Sequence, residues 1–250
     1  MILLDAFAKT DIGKARSVNQ DMVFCSVSPM GSLPNVFIVA DGMGGHNGGE
    51  IASKTAIVHF CEYLQENNQT PKDEALDLLT SAARFASSTV LSFAKVTPEL
   101  SGMGTTLTAC TVIDSKCNII HIGDSRAYAI TKESITQLTN DHSYVNEMVK
   151  AGQITQTEAK EHPKRNILTK VLGINEEMCA DGYVFDIQPD SVILLCSDGL
   201  YNMVSEDEIK NLVNTNTPQE AVDALVETAN NNGGADNISV IVIECKEVIP

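Results

Sequence analysis

Basic side chains are scarce in this sequence: 17 lysines and arginines stand against 33 aspartates and glutamates, a formal net charge of −16. That balance excludes nucleic acid as a partner, because a phosphate backbone is bound by clustered Lys and Arg. No polybasic patch suited to anionic lipid occurs either. No apolar run approaches the ~18 residues that a membrane span needs. The seven cysteines include no C-x-x-C pair, so neither a zinc site nor a disulfide framework is signalled. Most lie in apolar runs, such as Cys196 in VILLCSDG and Cys110 in TLTACTVI. They read as small buried hydrophobes in a reducing compartment. The opening MILLDAFAKTD has no charged n-region of a signal peptide, and we expect a cytoplasmic protein. Internal repeats, low-complexity tracts and Pro/Ser linkers are also missing, so one domain over residues 1–250 is expected. The 43% hydrophobic content supplies its core.

Six short segments rich in Val, Ile and Thr read as strands: Val36–Ala40, Thr106–Ile113, Asn118–Ile122, Ala127–Ile130, Val192–Cys196 and Ile238–Glu244. Three of them follow one another with gaps of about four residues. Such gaps fit hairpins and leave no room for helical crossovers, so the sheet is expected to be largely antiparallel. Helices are expected over Gly48–Gln65 and Asp73–Lys95. Thr70 is expected to cap the second, with Pro71 at its first position. TQTE (155–158), SEDE (205–208) and TPQE (217–220) each have the spacing of a capping box. Segment 141–180 is more polar, lies between two strand blocks and reads as an inserted subdomain.

One pattern recurs. The strands VFIVADG, IIHIGDS and VILLCSDG end at Asp41, Asp124 and Asp198, and ADNISVIVI begins one with Asp236. A single Asp-Gly is only a turn signal. Four aspartates on strand rims can converge, and converging carboxylates repel unless cations lie among them. Mg²⁺ and Mn²⁺ take oxygen ligands and match such a set. Five of the nine residues after Asp41 are glycines, which let backbone turn tightly or approach another group closely. The carbonyl of Gly42 is thereby open to a cation. Two cations sharing a carboxylate can activate a bridging water and clamp an in-line displacement, which suits phosphate ester hydrolysis. Such chemistry also calls for a bidentate cation on the phosphate, and Arg16 is the candidate.

Taken together, RSVNQD (16–21), VADGMGGHNGGEIAS (39–53), SGMGTTLTA (101–109), HIGDSRAY (121–128), LTNDHS (138–143), HPKRNILTKVLG (162–173), LLCSDGL (194–200) and ADNISVIVI (235–243) resemble the bacterial PP2C-type metal-dependent serine/threonine protein phosphatases. The motifs occur in the family's order and cover nearly the whole chain.

The resemblance implies an α+β fold, a four-layer sandwich of two antiparallel sheets flanked by helices, with segment 141–180 as a flap beside the site. It implies that Asp41 bridges two Mn²⁺ or Mg²⁺ ions, with the Gly42 carbonyl on one and Asp198 and Asp236 completing the other. Asp124 shares a third ion with Asp198. Arg16 binds the substrate phosphate, and Gln20, Asp21 and Asn237 stand behind the ligands. The implied substrates are phosphorylated proteins, with a bacterial Ser/Thr kinase as counterpart and a monomeric enzyme. Two departures stand out. Gln20 occupies a position where many relatives carry Glu. Met43 stands where animal relatives carry a His, leaving His46 as the nearest histidine. A catalytically weak phosphoprotein-binding module and a phosphatase of other phosphate esters are the alternative readings.

Overall fold

A computed structural model describes residues 2–44 and 48–247. In chain order its elements are β1 (Ile2–Asp11), β2 (Asp21–Ser26), β3 (Val36–Met43), α1 (Gly48–Glu66), α2 (Ala75–Val96), β4 (Gly104–Thr105), β5 (Leu107–Ile113), β6 (Lys116–Ile122), β7 (Arg126–Ile130), β8 (Ile135–Gln137), α3 (Tyr144–Lys150), α4 (Gln156–Glu161), β9 (Asp181–Asp186), β10 (Ser191–Cys196), α5 (Asp198–Tyr201), α6 (Glu206–Thr215), α7 (Pro218–Asn231) and β11 (Ile238–Glu247).

The strands form two sheets. One runs β1-β11-β10-β7-β8; the other runs β2-β3-β5-β6-β9, with β4 attached to β3. Every pairing is antiparallel. β1 pairs along its length with β11, from Ile2 opposite Glu247 to Asp11 opposite Ile238.

Strand alternation builds the layers. In β3, Val36, Ile38 and Ala40 join Phe60, Leu64, Leu79 and Ala83 under α1 and α2. Phe37 and Val39 point the other way, into a layer between the sheets with Cys110, Ile119, Ile193, Leu195 and Ile241. Leu194, Val240 and Val242 face α6 and α7 through Ile209, Val222 and Leu225. The result is the expected α/β/β/α sandwich. Because both faces of the central strands are buried, they read as continuous apolar runs.

The six expected strands and both long helices are present, their ends shifted by one to three residues. Three details differ. Asn118–Ile122 and Ala127–Ile130 do not form a hairpin: β6 belongs to one sheet and β7 to the other. The intervening residues cross between sheets, with Gly123 at φ +107°, a conformation that favours glycine. Thr70 does not cap α2. Its hydroxyl turns back to donate to the Asn67 carbonyl, and α2 follows a 3-10 turn at Lys72–Glu74. SEDE is a one-way cap: Ser205 accepts from the Glu208 N–H. Thr155 and Thr217 do form full capping boxes.

Candidate active site

The recurring aspartates arrive at one place from both sheets. Asp41 lies on β3, and Asp21 stands opposite it on β2. Asp198 opens α5 directly after β10, and Asp236 precedes β11. Asp124 lies in the crossing between β6 and β7. Sequence reasoning places such groups at neighbouring strand ends of one sheet; the structure places them at the seam of two.

Asp41 is held by its backbone. Its N–H donates to Thr106 Oγ1 at 2.9 Å, and its carbonyl accepts from Thr106 N–H and Thr105 Oγ1, both at 2.9 Å. Thr106 Oγ1 also shares a 2.7 Å hydrogen bond with Ser125 Oγ, beside Asp124. The glycines serve close approach. A Cβ on Gly42 would stand 2.0 Å from the Gly49 carbonyl oxygen. A Cβ on Gly49 would stand 2.6 Å from the Gly42 oxygen and 2.7 Å from Gln20 Cδ. Strand end, helix start and Gln20 therefore pack backbone against backbone. Ser53 Oγ donates to the Gln20 carbonyl at 2.6 Å, tying α1 to the same point.

Ser197 links the two sheets, donating to Asp21 Oδ2 at 2.6 Å and accepting from Ser239 N–H at 2.9 Å. Asp198 Oδ2 accepts from Asn202 at 3.1 Å. Asn237 stakes down the segment that carries Arg16. Its Oδ1 accepts from Gln20 N–H at 2.8 Å, and its Nδ2 donates to the carbonyls of Ile12 and Val18 at 2.9 and 3.0 Å. Lys14 and Ala15 N–H groups reach the Gly234 carbonyl. From that anchored loop, Arg16 Nη2 donates to Asp236 Oδ2 at 2.8 Å, with half of its side chain exposed.

Arg16, Asp41, Asp124, Asp198 and Asp236 line one cavity of about 240 Å³, together with Gln20, Gly42 and Asn237. Asp21 is buried behind Asp41. Met43, Gly44, Thr106, Asn166 and Leu168 complete the lining, and sequence reasoning missed Asn166 and Leu168 as cavity residues. Both lie in HPKRNILTKVLG, where neither residue type at that spacing signals chemistry by itself. His46 lies outside the described residues.

Burial, and then repulsion by neighbouring carboxylates, lifts the Asp41 and Asp198 carboxyls well above the usual range. Burial likewise raises Asp124 to about 7, with Asp141 adding to the rise and Arg126 opposing it. Asp21 rises to about 6 by burial, against a lowering hydrogen bond from Ser197. Two buried oxygens, Asp21 Oδ1 and Asp198 Oδ1, find no hydrogen-bond partner among the described residues. An all-oxygen donor set with unspent acceptors and one arginine fits hard divalent cations. Among the described residues no three side chains stand close enough to be a preassembled cage. The carboxylates ring the cavity instead, leaving room for ions that keep their waters.

The sequence matches the protein phosphatase 2C family over residues 13–238. It is 35% identical over 238 residues to the serine/threonine phosphatase stp of Listeria innocua, covering 94% of each chain. It is 37% identical over 239 residues to the protein phosphatase PhpP of Streptococcus pneumoniae, covering 95% of this chain and 96% of that one. Among solved structures, a serine/threonine phosphatase from Staphylococcus aureus superposes with a TM-score of 0.91 at 34% identity, over 98% of this chain and 96% of that one. The catalytic domain of the serine/threonine protein phosphatase PstP, solved with two manganese ions, gives 0.86 at 31% identity over 99% and 100%. The fold is that of these bacterial serine/threonine phosphatases. The chain belongs to the protein phosphatase 2C family, and it is an enzyme of that class.

The close contact at Gly49 is testable. Gly49→Ala forces the Gly42 turn and Gln20 apart, and a displacement of about 1 Å near reacting groups costs up to about 10²-fold in rate. Steady-state hydrolysis of p-nitrophenyl phosphate should fall by at least about tenfold, while far-UV circular dichroism stays that of the parent.

Proposed function

We propose that this enzyme removes phosphate from phosphoserine and phosphothreonine in proteins, using two core Mn²⁺ or Mg²⁺ ions and a third near Asp124. The observation that carries the reading is the convergence of Asp41, Asp124, Asp198, Asp236 and Arg16 on a single cavity. Asp41 and the Gly42 carbonyl hold the core pair with Asp198 and Asp236, and Asp124 with Asp198 holds the third. The bound ions supply an activated water nucleophile and neutralise charge on the phosphoryl group.

The chain's own groups do the rest. Thr105 and Thr106 fix where Asp41 presents its carboxylate. Asn237 fixes the Arg16 loop, so that the guanidinium reaches the cavity from an anchored segment. In the free protein Arg16 is paired to Asp236, which raises its pKa further. With a cation held at Asp236 that pairing would weaken, and the Arg16 guanidinium fork would be open to the incoming phosphate. Asp21 and Ser197 hold the two sheets in register behind the ligands. No helix among the described residues is long and apolar enough to cross a membrane. We place the enzyme in the cytoplasm, as a monomer that reverses the work of a Ser/Thr kinase.

Turnover of p-nitrophenyl phosphate and of Ser(P), Thr(P) and Tyr(P) peptides, in Mn²⁺, Mg²⁺ and EDTA, tests the reading. It requires activity only with a divalent ion and a preference for Ser(P) and Thr(P). Activity in EDTA, or fastest turnover of Tyr(P), overturns it.

Asp41→Ala removes a ligand common to two ions and should abolish hydrolysis at saturating Mn²⁺, with the fold retained by circular dichroism. Arg16→Ala removes a charge-assisted contact worth roughly 1.5–3 kcal/mol, so kcat/KM should fall about 10- to 150-fold. The Mn²⁺ concentration giving half-maximal rate should stay unchanged.

The acid–base groups predict a pH dependence. Asp21, at about 6, and Asp124, at about 7, lie above the ~3.9 of an unfolded Asp. Their protons stabilise the metal-free fold fully below about pH 4, and that stabilisation is lost as pH rises through 6 to 7. Mn²⁺ competes with protons at the cluster, so the rise in Tm caused by Mn²⁺ should grow between about pH 5 and 8. Thermal melts with Mn²⁺ and with EDTA across that range measure it, and a constant difference contradicts the prediction.

A further inference from the structure

The turn presenting Asp124 is gripped by the first two residues of the flap segment. The His142 backbone N–H donates to the Gly123 carbonyl at 2.7 Å, and the Gly123 N–H donates back to His142 Nδ1 at 3.1 Å. Because Nδ1 accepts, the ring proton of neutral His142 resides on Nε2. Nε2 lies 3.1 Å from Asp181 Oδ2, without the alignment of a hydrogen bond. Asp181 also accepts from Lys170 Nζ at 2.7 Å. The ring stacks on His121 at 4.9 Å, and His121 Nδ1 shares a 2.9 Å hydrogen bond with Thr108. His142 is 1% exposed and lies behind the cavity rather than on its lining.

Asp141 grips the other side. It accepts from Arg126 Nε at 3.0 Å and from Nη2 at 2.7 Å. The Arg126 guanidinium stacks 3.6 Å over the Tyr201 ring, whose hydroxyl donates to the Asp124 carbonyl at 3.1 Å. On its inner side the turn meets Thr106: a Cβ at Gly123 would stand 2.5 Å from Thr106 Cγ2. The turn thus packs closely on Thr106 inside and is bonded to His142 Nδ1 outside.

We infer that His142 is a positioning residue for Asp124: by accepting the Gly123 N–H it sets where that carboxylate stands, and it ties the flap segment to the cation site. The inference rests on the reading of Asp124 as a ligand of the third cation. Truncating the ring leaves a buried N–H unpaired in the very geometry that binds the ion. Cation affinity at that position then falls by about 5- to 100-fold.

Mn²⁺ titration by calorimetry on the full chain, with melting in EDTA alongside, tests this. Asp124→Asn defines the equivalent that depends on Asp124. His142→Leu should weaken that equivalent by about 5- to 100-fold and spare the others. His142→Asn, whose Oδ1 takes the place of Nδ1, should restore it to within about threefold. In an Asp124→Asn background, His142→Leu should change neither Mn²⁺ binding nor turnover further. Unaltered binding in His142→Leu, or an Asn variant as weak as the Leu one, overturns the inference. So does an undiminished His142→Leu effect on the Asp124→Asn background. If His142→Leu does not fold, His142→Gln, which leaves the Gly123 N–H unpaired, takes its place against His142→Asn with the same outcomes. An Asp124→Asn protein that keeps every Mn²⁺ equivalent overturns the ligand reading and the inference with it. An equivalent lost there but intact in His142→Leu overturns the inference alone.

Discussion

Everything near the seam of the two sheets answers to one constraint, the repulsion among carboxylates drawn out of water. Asp21, Asp41, Asp124 and Asp198 are each driven toward the protonated form by burial and by one another. Such a cluster survives in a folded protein only if rigid backbone holds it or if positive charge enters it. Both devices are present. Thr105, Thr106, Ser197 and Asn237 spend their side chains on backbone and carboxylate groups, fixing the chain that carries Asp41, the Asp21 carboxylate and the Arg16 loop. The arginine supplied to the cavity comes from a loop staked at both ends. The remaining charge balance falls to divalent ions, in keeping with the two manganese ions of the related PstP structure.

The two sheets divide this labour. The β2–β3 side brings Asp21, Asp41 and the glycine contacts, while the β10–β11 side brings Asp198 and Asp236. Asp124 belongs to neither sheet and sits where the chain passes between them. That placement explains why its turn needs outside support, and why support comes from residues 141 and 142. A carboxylate on a connecting turn is only as precise as the groups that brace it.

Much of the fold was legible because the central strands are buried on both faces and so stand out as apolar runs bounded by Gly, Asp and Asn. β1, β2, β8 and β9 at the sheet edges and the two-residue β4 were not, since edge strands with half-buried faces and very short strands carry weaker patterns; β9 alternates half-buried Tyr183 and Phe185 with exposed Gly182 and Val184. The gap at 123–125 looked like a hairpin because local spacing carries no information about which sheet a strand joins. The aspartates were legible as a recurring strand-rim pattern. Their braces were less so: the roles of Thr106 and His142 depend on contacts across 19 to 65 residues of chain, which no local pattern encodes.

The pairing of β1 with β11 has a kinetic side. β11 lies between β1 and β10, so on the ribosome residues 2–11 are made long before the strand that joins them to their sheet. Asp236 and the Asn237 stake for the Arg16 loop come from that same late segment. Arg16 and Asp236 thus reach their places only after nearly the whole chain has been synthesised. Long-range strand pairing of this kind is slow, because loop closure precedes the contacts that reward it. A nascent chain therefore passes most of its synthesis with the carboxylates of this cavity incomplete, and the cavity closes in a late step.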